Sequence, residues 1–207
     1  MSRRLLFEIW KVMSNRRKGL NFYKKENKIN RTKLQEIVSL VFWIFAVTFI
    51  AYILFALFGT RIRVIGISME ETLHNGQAVL VDKASYIILS PKRGDVVVFL
   101  PNGNKKAHYY VKRVVGLPGE TVQIKNGKVF INGNELEEGE NYEKIESPGL
   151  AEQPYVLGEK EYFVLGDNRN NSEDSRSGNI GAVKKEDMIG KIWFHFASEE
   201  DGLGFVR

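Results

Sequence analysis

The alternation of polar and apolar positions that runs through most of the chain is interrupted once. Residues 37–58 are 22 consecutive positions without a charged side chain, apolar on every face rather than along one stripe. At about 1.5 Å per residue such a helix reaches roughly 33 Å, enough to cross a hydrocarbon core of about 30 Å. The pattern predicts one transmembrane helix over 37–58; a buried core helix is shorter or amphipathic. A cleaved signal peptide has a shorter apolar core and a small-x-small exit, whereas this run leaves through Ala56-Leu57-Phe58-Gly59-Thr60, so an uncleaved anchor is expected. Ahead of it Leu5, Leu6, Ile9, Trp10 and Met13 recur at helical spacing beside Arg and Lys, which predicts either a helix on the inner membrane surface or a short frayed tail.

After the span the period falls to two. Short β-branched or aromatic runs at 79–81, 96–99, 109–115, 122–124, 129–131, 162–165 and 192–196 read as strands separated by turn residues. Asn126-Gly127 between two such runs is a strong hairpin signal, and Asn132-Gly133 marks another turn at once. The fold class is therefore mainly β, with no long helix beyond the membrane. Residues 135–161 carry nine Glu against Lys144 and Lys160, with Pro148 and Pro154 and little periodicity, and read as a solvated excursion or small cap inserted in the main sheet.

Charge adds an orientation. Residues 1–36 hold eleven basic and three acidic side chains, a balance of +8, while residues 59–207 hold 19 basic and 22 acidic, a balance of −3. The basic excess belongs to the tail, so a nucleic-acid-binding domain is not expected, and the positive-inside rule keeps residues 1–36 in the cytoplasm and sends 59–207 outward. No cysteine is present, which removes disulfides, thiolate metal sites and Cys nucleophiles. His74, His108 and His195 lack metal-ligand spacing and read as surface or packing residues, so no metal or other cofactor is expected. No G-x-S-x-G signature occurs, and Gly116-Leu117-Pro118-Gly119 lacks the Lys-Ser/Thr ending of a phosphate loop.

Three segments stand apart from scaffold: Gly66-Ile67-Ser68-Met69-Glu70-Glu71-Thr72-Leu73, the apolar strand around Lys112-Arg113, and Gly166-Asp167-Asn168-Arg169-Asn170-Asn171-Ser172-Glu173-Asp174-Ser175-Arg176. Alternation puts Lys112 on one face with Tyr110 and Val114, where an ammonium must be paired, exposed or neutral. Serine and a neutral lysine together suffice for peptide hydrolysis, since burial lowers a lysine below its usual value of about 10.4 and leaves it able to accept the serine proton. Glu70 and Glu71 oppose that effect unless they point away. Ile67, Met69, Ile87, Ile88 and Leu89 are candidates for substrate pockets or a membrane-facing surface, or else ordinary core.

With Arg93-Gly94-Asp95-Val96-Val97-Val98-Phe99 and the membrane span, these segments in this order resemble the bacterial type I signal peptidases, the membrane-bound Ser/Lys peptidases that remove signal peptides from exported proteins. The resemblance implies a β-sheet catalytic domain with a small cap, Ser68 as nucleophile, Lys112 as general base and Ser172 as a hydroxyl that holds the lysine. It makes Asp167, Arg169, Asp174 and Arg176 structural ion-pairing positions, and puts oxyanion and substrate contacts at Gly66, Ile67 and Met69, with the Ser68 N–H. It further implies cleavage after small residues, partnership with preprotein signal peptides, a phospholipid membrane and nearby export machinery, and a single-pass location in the cell membrane. Two departures stand out: Glu71 occupies a position where the family usually has proline, and Gly66 one where some members have an oxyanion-binding serine. Self-cleaving SOS repressors share the dyad but carry a DNA-binding domain where this chain has its span. The alternative from another class is an inactive, membrane-anchored β-domain that binds exported proteins.

Overall fold

The computed structural model describes residues 3–14, 31–104, 106–139, 142–199 and 201–206. Six of the eleven basic residues of the tail, Arg16, Arg17, Lys18, Lys24, Lys25 and Lys28, lie outside the described residues. The chain divides into two units, residues 1–46 and 47–207. The described part of the first is helical: α1 (Arg3–Ser14) and most of α2 (Arg31–Phe58). Within α2 the stretch Arg31–Ala56 has a mean hydropathy of 2.6 over its most apolar window and none of that window is buried, so it is long and apolar enough to cross a membrane. The helix begins six residues before the uncharged run, because Arg31, Thr32, Lys33, Leu34, Gln35 and Glu36 include no helix breaker.

The second unit is mainly β, and every strand pairing in it is antiparallel. The strands are β1 (Thr60–Arg63), β2 (Ala78–Asp82), β3 (Val96–Phe99), β4 (Tyr110–Gly116), β5 (Thr121–Lys125), β6 (Lys128–Ile131), β7 (Asn134–Glu135), β8 (Tyr155–Val156), β9 (Glu161–Leu165), β10 (Val183–Lys184), β11 (Met188–His195) and β12 (Gly204–Phe205). The larger sheet runs β1-β2-β11-β3-β4-β9-β10 with β12 on β11, and the smaller runs β7-β6-β5-β8. The strand expected at 192–196 is longer at its start and stops at His195, since Gly190 and Lys191 hide the first half from an apolar count. Among the described residues no helix after α2 exceeds four residues, the length of α3 (Ser85–Ile88). Both Asn-Gly turns form: Asn126 and Gly127 have φ of 52° and 76°, Asn132 and Gly133 of 51° and 83°. Two successive positive φ values match the right-handed twist of the strands they join, which is why Asn-Gly is preferred there.

β3 shows how the larger sheet is buried on both faces. Val96 and Val98 enter a core with Val64, Met69, Leu73, Val79, Val81, Val111 and Ile192, whereas Val97 and Phe99 enter another with Tyr86, Val114, Tyr162 and Val164. A third core joins Val122, Ile124, Val129 and Ile131 of the smaller sheet to Val115, Phe163 and Leu165 of the larger one. Ile145, Ala151 and Leu157 complete it. Residues 135–161 contribute Ile145, Ala151 and Leu157 to this core and pair through β8 with β5, while most of their other described residues, Leu150 and Val156 among them, are exposed.

Candidate active site

Ser68 lies in the turn between β1 and β2. Met69 and Leu73, which follow it, are fully buried, each worth about 2 kcal/mol of apolar burial, and they pin the loop to the core. One helical turn closes between them, with the N–H groups of Thr72 and Leu73 donating to Met69 O at 3.0 and 2.8 Å. Gly66 has φ of 97° and donates its N–H to Asn75 Oδ1 at 2.9 Å, while Ser68 O accepts the N–H of Asn168 at 3.2 Å. The Ser68 N–H has no partner among the described residues.

Lys112 stands on β4 opposite Val97, so it keeps the face of Val114 and Tyr110 that alternation assigns it. Only 4% of it is exposed. Its Nζ is 2.8 Å from Ser68 Oγ, donates to Val111 O at 3.0 Å, and lies 5.5 Å from the centre of the Tyr110 ring. Burial lowers its pKa from 10.5 to about 8; Asp174, Asp167 and Glu173 oppose that shift and Arg176 adds to it. Neither Glu70 nor Glu71 is among the acids acting on Lys112.

The Gly166–Arg176 segment packs against this pair. Gly166 permits the approach: a Cβ there would sit 2.1 Å from Ser172 Oγ and 2.5 Å from Ser68 O. Beside it Asp167 accepts from Arg113 Nε at 2.8 Å and Nη2 at 2.7 Å, and from Thr72 Oγ1 at 2.6 Å. Asp174 accepts from Arg176 Nε and Nη2, both at 2.8 Å, and from the Gly166 N–H at 3.0 Å. Both arrangements are the two-pronged guanidinium–carboxylate pairing that survives burial, and Gly94 O, Thr72 Oγ1, Arg169 O and the Gly166 N–H supply further partners. Arg169 turns the other way: its two terminal nitrogens donate at 2.7 Å to Glu138 of the cap, and its guanidinium lies 4.2 Å over the Tyr142 ring.

All five polar positions expected around the dyad are therefore near it or tied to its supports, but their partners were not legible in sequence. Arg113 was missed as a site residue, although the reasoning applied to Lys112 fits it equally: a charge in a buried strand needs a counter-charge. Glu138 gave no local signal among the acids of the cap. Three expectations change. Met69 is wholly buried, so its side chain anchors the loop and does not line a substrate pocket. The Gly66 N–H is already taken by Asn75, which leaves the Ser68 amide as the open donor. Ser172 makes no hydrogen bond to Lys112; its Oγ is buried without a partner, pressed against Gly166.

Ile67, next to Ser68 in the loop, is exposed. A cleft of about 460 Å³ contains Ser68 and Lys112 and is lined further by Ile62, Val64, Ile65 and Tyr109. Ile87, Ile88 and Leu89 are exposed on and after α3 and do not line it. His108 does line it, but the group within reach of Ser68 Oγ is Lys112. Glu71 departs from expectation in its backbone as well as its side chain: its φ is 85°, which a proline ring cannot adopt.

Residues 35–197 match the family model described as signal peptidase, peptidase S26. Signal peptidase I of Bacillus licheniformis is 40% identical over 138 residues, covering 63% of this chain and 73% of that protein. The probable signal peptidase I-2 of a Synechocystis species is 40% identical over 134 residues, 62% of this chain and 59% of that one. A crystal structure of a signal peptidase I from Enterococcus faecalis is 31% identical, with a TM-score of 0.38, over 50% of this chain and 97% of that one.

Proposed function

Because the chain belongs to the signal peptidase family, peptidase S26, a family of proteases of signal-peptide processing, we propose that it cuts signal peptides from exported preproteins after small-x-small sequences, with Ser68 as nucleophile and Lys112 as general base. The observation that carries this reading is the 2.8 Å separation of Lys112 Nζ from Ser68 Oγ, with an amine whose pKa is brought down to about 8 by burial. The neutral amine takes the Ser68 proton as Oγ attacks the scissile carbonyl carbon. The developing oxyanion is met by the Ser68 N–H, a donor of the kind worth roughly 3 to 4 kcal/mol. As the carbon–nitrogen bond breaks, the Lys112 ammonium returns the proton to the leaving amine. Water, deprotonated by the same amine, then attacks the acyl carbon; its bond to Ser68 Oγ breaks and Oγ takes the proton back from Lys112. Asp167 with Arg113, and Asp174 with Arg176, hold the two segments that frame the dyad.

In the same proposal α2 is a single-pass membrane anchor, residues 1–36 are a cytoplasmic tail and residues 59–207 an external peptidase domain, with residues 135–161 as its cap. The +8 tail supports this orientation, and the nucleophile follows the end of α2 by ten residues, close to where a membrane-inserted signal peptide emerges. Signal peptides, the phospholipid bilayer and the export machinery beside it are then the partners. Incubation of the detergent-solubilised full chain with a preprotein whose signal ends in Ala-x-Ala, followed by mass analysis, tests the reading. A cut directly after that motif is expected from the wild type and not from Ser68→Ala; a cut elsewhere, or one that survives Ser68→Ala, overturns it.

A further inference from the structure

A second cavity, of about 480 Å³, lies away from the Ser68–Lys112 dyad and is lined by Arg61, Arg63, Asn75, Gln77 and Ser198 among others. Its cationic side comes from β1, where Thr60 and Ile62 are half-buried and Arg61 and Arg63 exposed. Residues two apart on a strand point the same way about 7 Å apart, so the two guanidiniums share one face of the sheet edge. Neither has a carboxylate partner among the described residues. Arg61 lies 4.8 Å over the Phe196 ring, which fixes its plane while leaving its N–H donors available.

The floor of the cavity is rigid. Gln77 is 3% exposed; its Nε2 donates to Phe196 O at 2.9 Å and is 3.0 Å from His195 Nδ1, and its Oε1 accepts the His74 N–H at 2.9 Å. Asn75 uses Oδ1 for Gly66, which leaves its amide nitrogen as a further donor. Among the described residues of the lining Glu199 is the one acid, against two arginines and His74. That balance is opposite to the −3 of residues 59–207 as a whole.

Arg61 follows Phe58, the last residue of α2, by three residues, which bounds its distance from the helix end at about 10 Å. We propose that this cavity binds the phosphate of an anionic phospholipid, gripped by the Arg61 and Arg63 guanidiniums, whose paired N–H groups match phosphate oxygens. The inference rests on the membrane anchoring proposed above. Its site touches the catalytic region at two points: Arg63 also lines the Ser68–Lys112 cleft, and Asn75 braces Gly66, two residues before Ser68.

The test is hydrogen exchange, read by mass spectrometry, on the full chain in neutral detergent with phosphatidylglycerol, phosphatidylcholine or inorganic phosphate added. Phosphatidylglycerol at about ten times half-saturation should slow exchange of the amides of residues 74–78 and 196–198 roughly tenfold. The double variant Arg61→Gln/Arg63→Gln should lose that protection and Arg61→Lys/Arg63→Lys should keep part of it, and the basic tail is common to all three proteins. Equal protection by phosphatidylcholine, or protection that survives the double Gln variant, overturns the proposal. The same protection by inorganic phosphate at the same concentration makes it a soluble-phosphate site and overturns the lipid assignment. Alkaline carbonate extraction from phosphatidylcholine vesicles tests the anchor separately. A retained chain without phosphatidylglycerol-dependent protection refutes the lipid site alone, whereas a released chain refutes anchor and site together.

Discussion

Replacing Lys112 by methionine should make the protein inactive and more stable. In the folded chain the ammonium loses its proton at about 8 rather than 10.5; at about 1.4 kcal/mol per tenfold, holding it charged there costs about 3 kcal/mol. Methionine keeps a flexible stem and carries no charge, but gives up the contacts to Ser68 Oγ and Val111 O, worth about 1 kcal/mol together. The net gain at pH 7 is about 2 kcal/mol, or a Tm higher by about 4 to 8 °C for a domain of this size. The sign of its pH dependence follows from proton counting. Between about 8 and 10.5 the unfolded chain holds a proton on Lys112 that the folded chain has released, so wild-type stability rises with pH through that window. The advantage of Lys112→Met should therefore shrink toward zero by about pH 9.5. Thermal melts followed by circular dichroism in one detergent, wild type beside variant from pH 7 upward, measure it. A variant less stable than wild type at pH 7, or a gap that does not close with pH, refutes the reasoning about the buried amine.

With a preprotein substrate, kcat/KM should climb about tenfold from pH 6 to 7 and level off above an apparent pKa of about 8, while Lys112→Arg should be inactive because a guanidinium keeps its proton; a flat profile argues against the lysine base. Gly166→Ala forces a Cβ into Ser172 Oγ and Ser68 O, and turnover should fall on the order of a hundredfold as the nucleophile shifts; near-normal rates would mean the two segments are not in contact. Glu138→Ala leaves the Arg169 guanidinium buried without its carboxylate and should cost about 3 to 5 kcal/mol in urea denaturation, against little change for the exposed Glu137→Ala. Glu71→Gly relieves a left-handed φ and should add up to about 1 kcal/mol of stability, whereas Glu71→Pro should destabilise by more than that; the opposite ranking in urea would show that the turn is built otherwise.

Legibility in the sequence followed how local each cause is. The Asn126-Gly127 hairpin and the Val96–Phe99 strand were readable because turn chemistry and an unbroken β-branched run act over a few residues. β1, a Thr-Arg-Ile-Arg segment, was not, since only pairing with β2 makes it a strand. Nor was the start of β11, where Gly190 is needed because a Cβ would come 2.4 Å from Asp82 O. The candidate chemistry divides in the same way. Ser68 and Lys112 stood out by their surroundings and by resemblance, but the partners Arg113, Glu138 and Thr72 are chosen by tertiary contact. The 54 residues between Arg113 and Asp167, and the 31 between Glu138 and Arg169, carry no pattern that announces the pairing.

The place of β11 in the larger sheet makes the alignment of Ser68 with Lys112 depend on a strand that follows both of them in the chain. Ser68 follows β1 and precedes β2, Lys112 belongs to β4, and in the strand order the pair β1-β2 meets the pair β3-β4 only through β11. The strand that lies between β2 and β3, and so completes this sheet, begins only at Met188. The sheet that joins the Ser68 loop to the Lys112 strand therefore depends on pairings between strands far apart in sequence, the kind that form slowly.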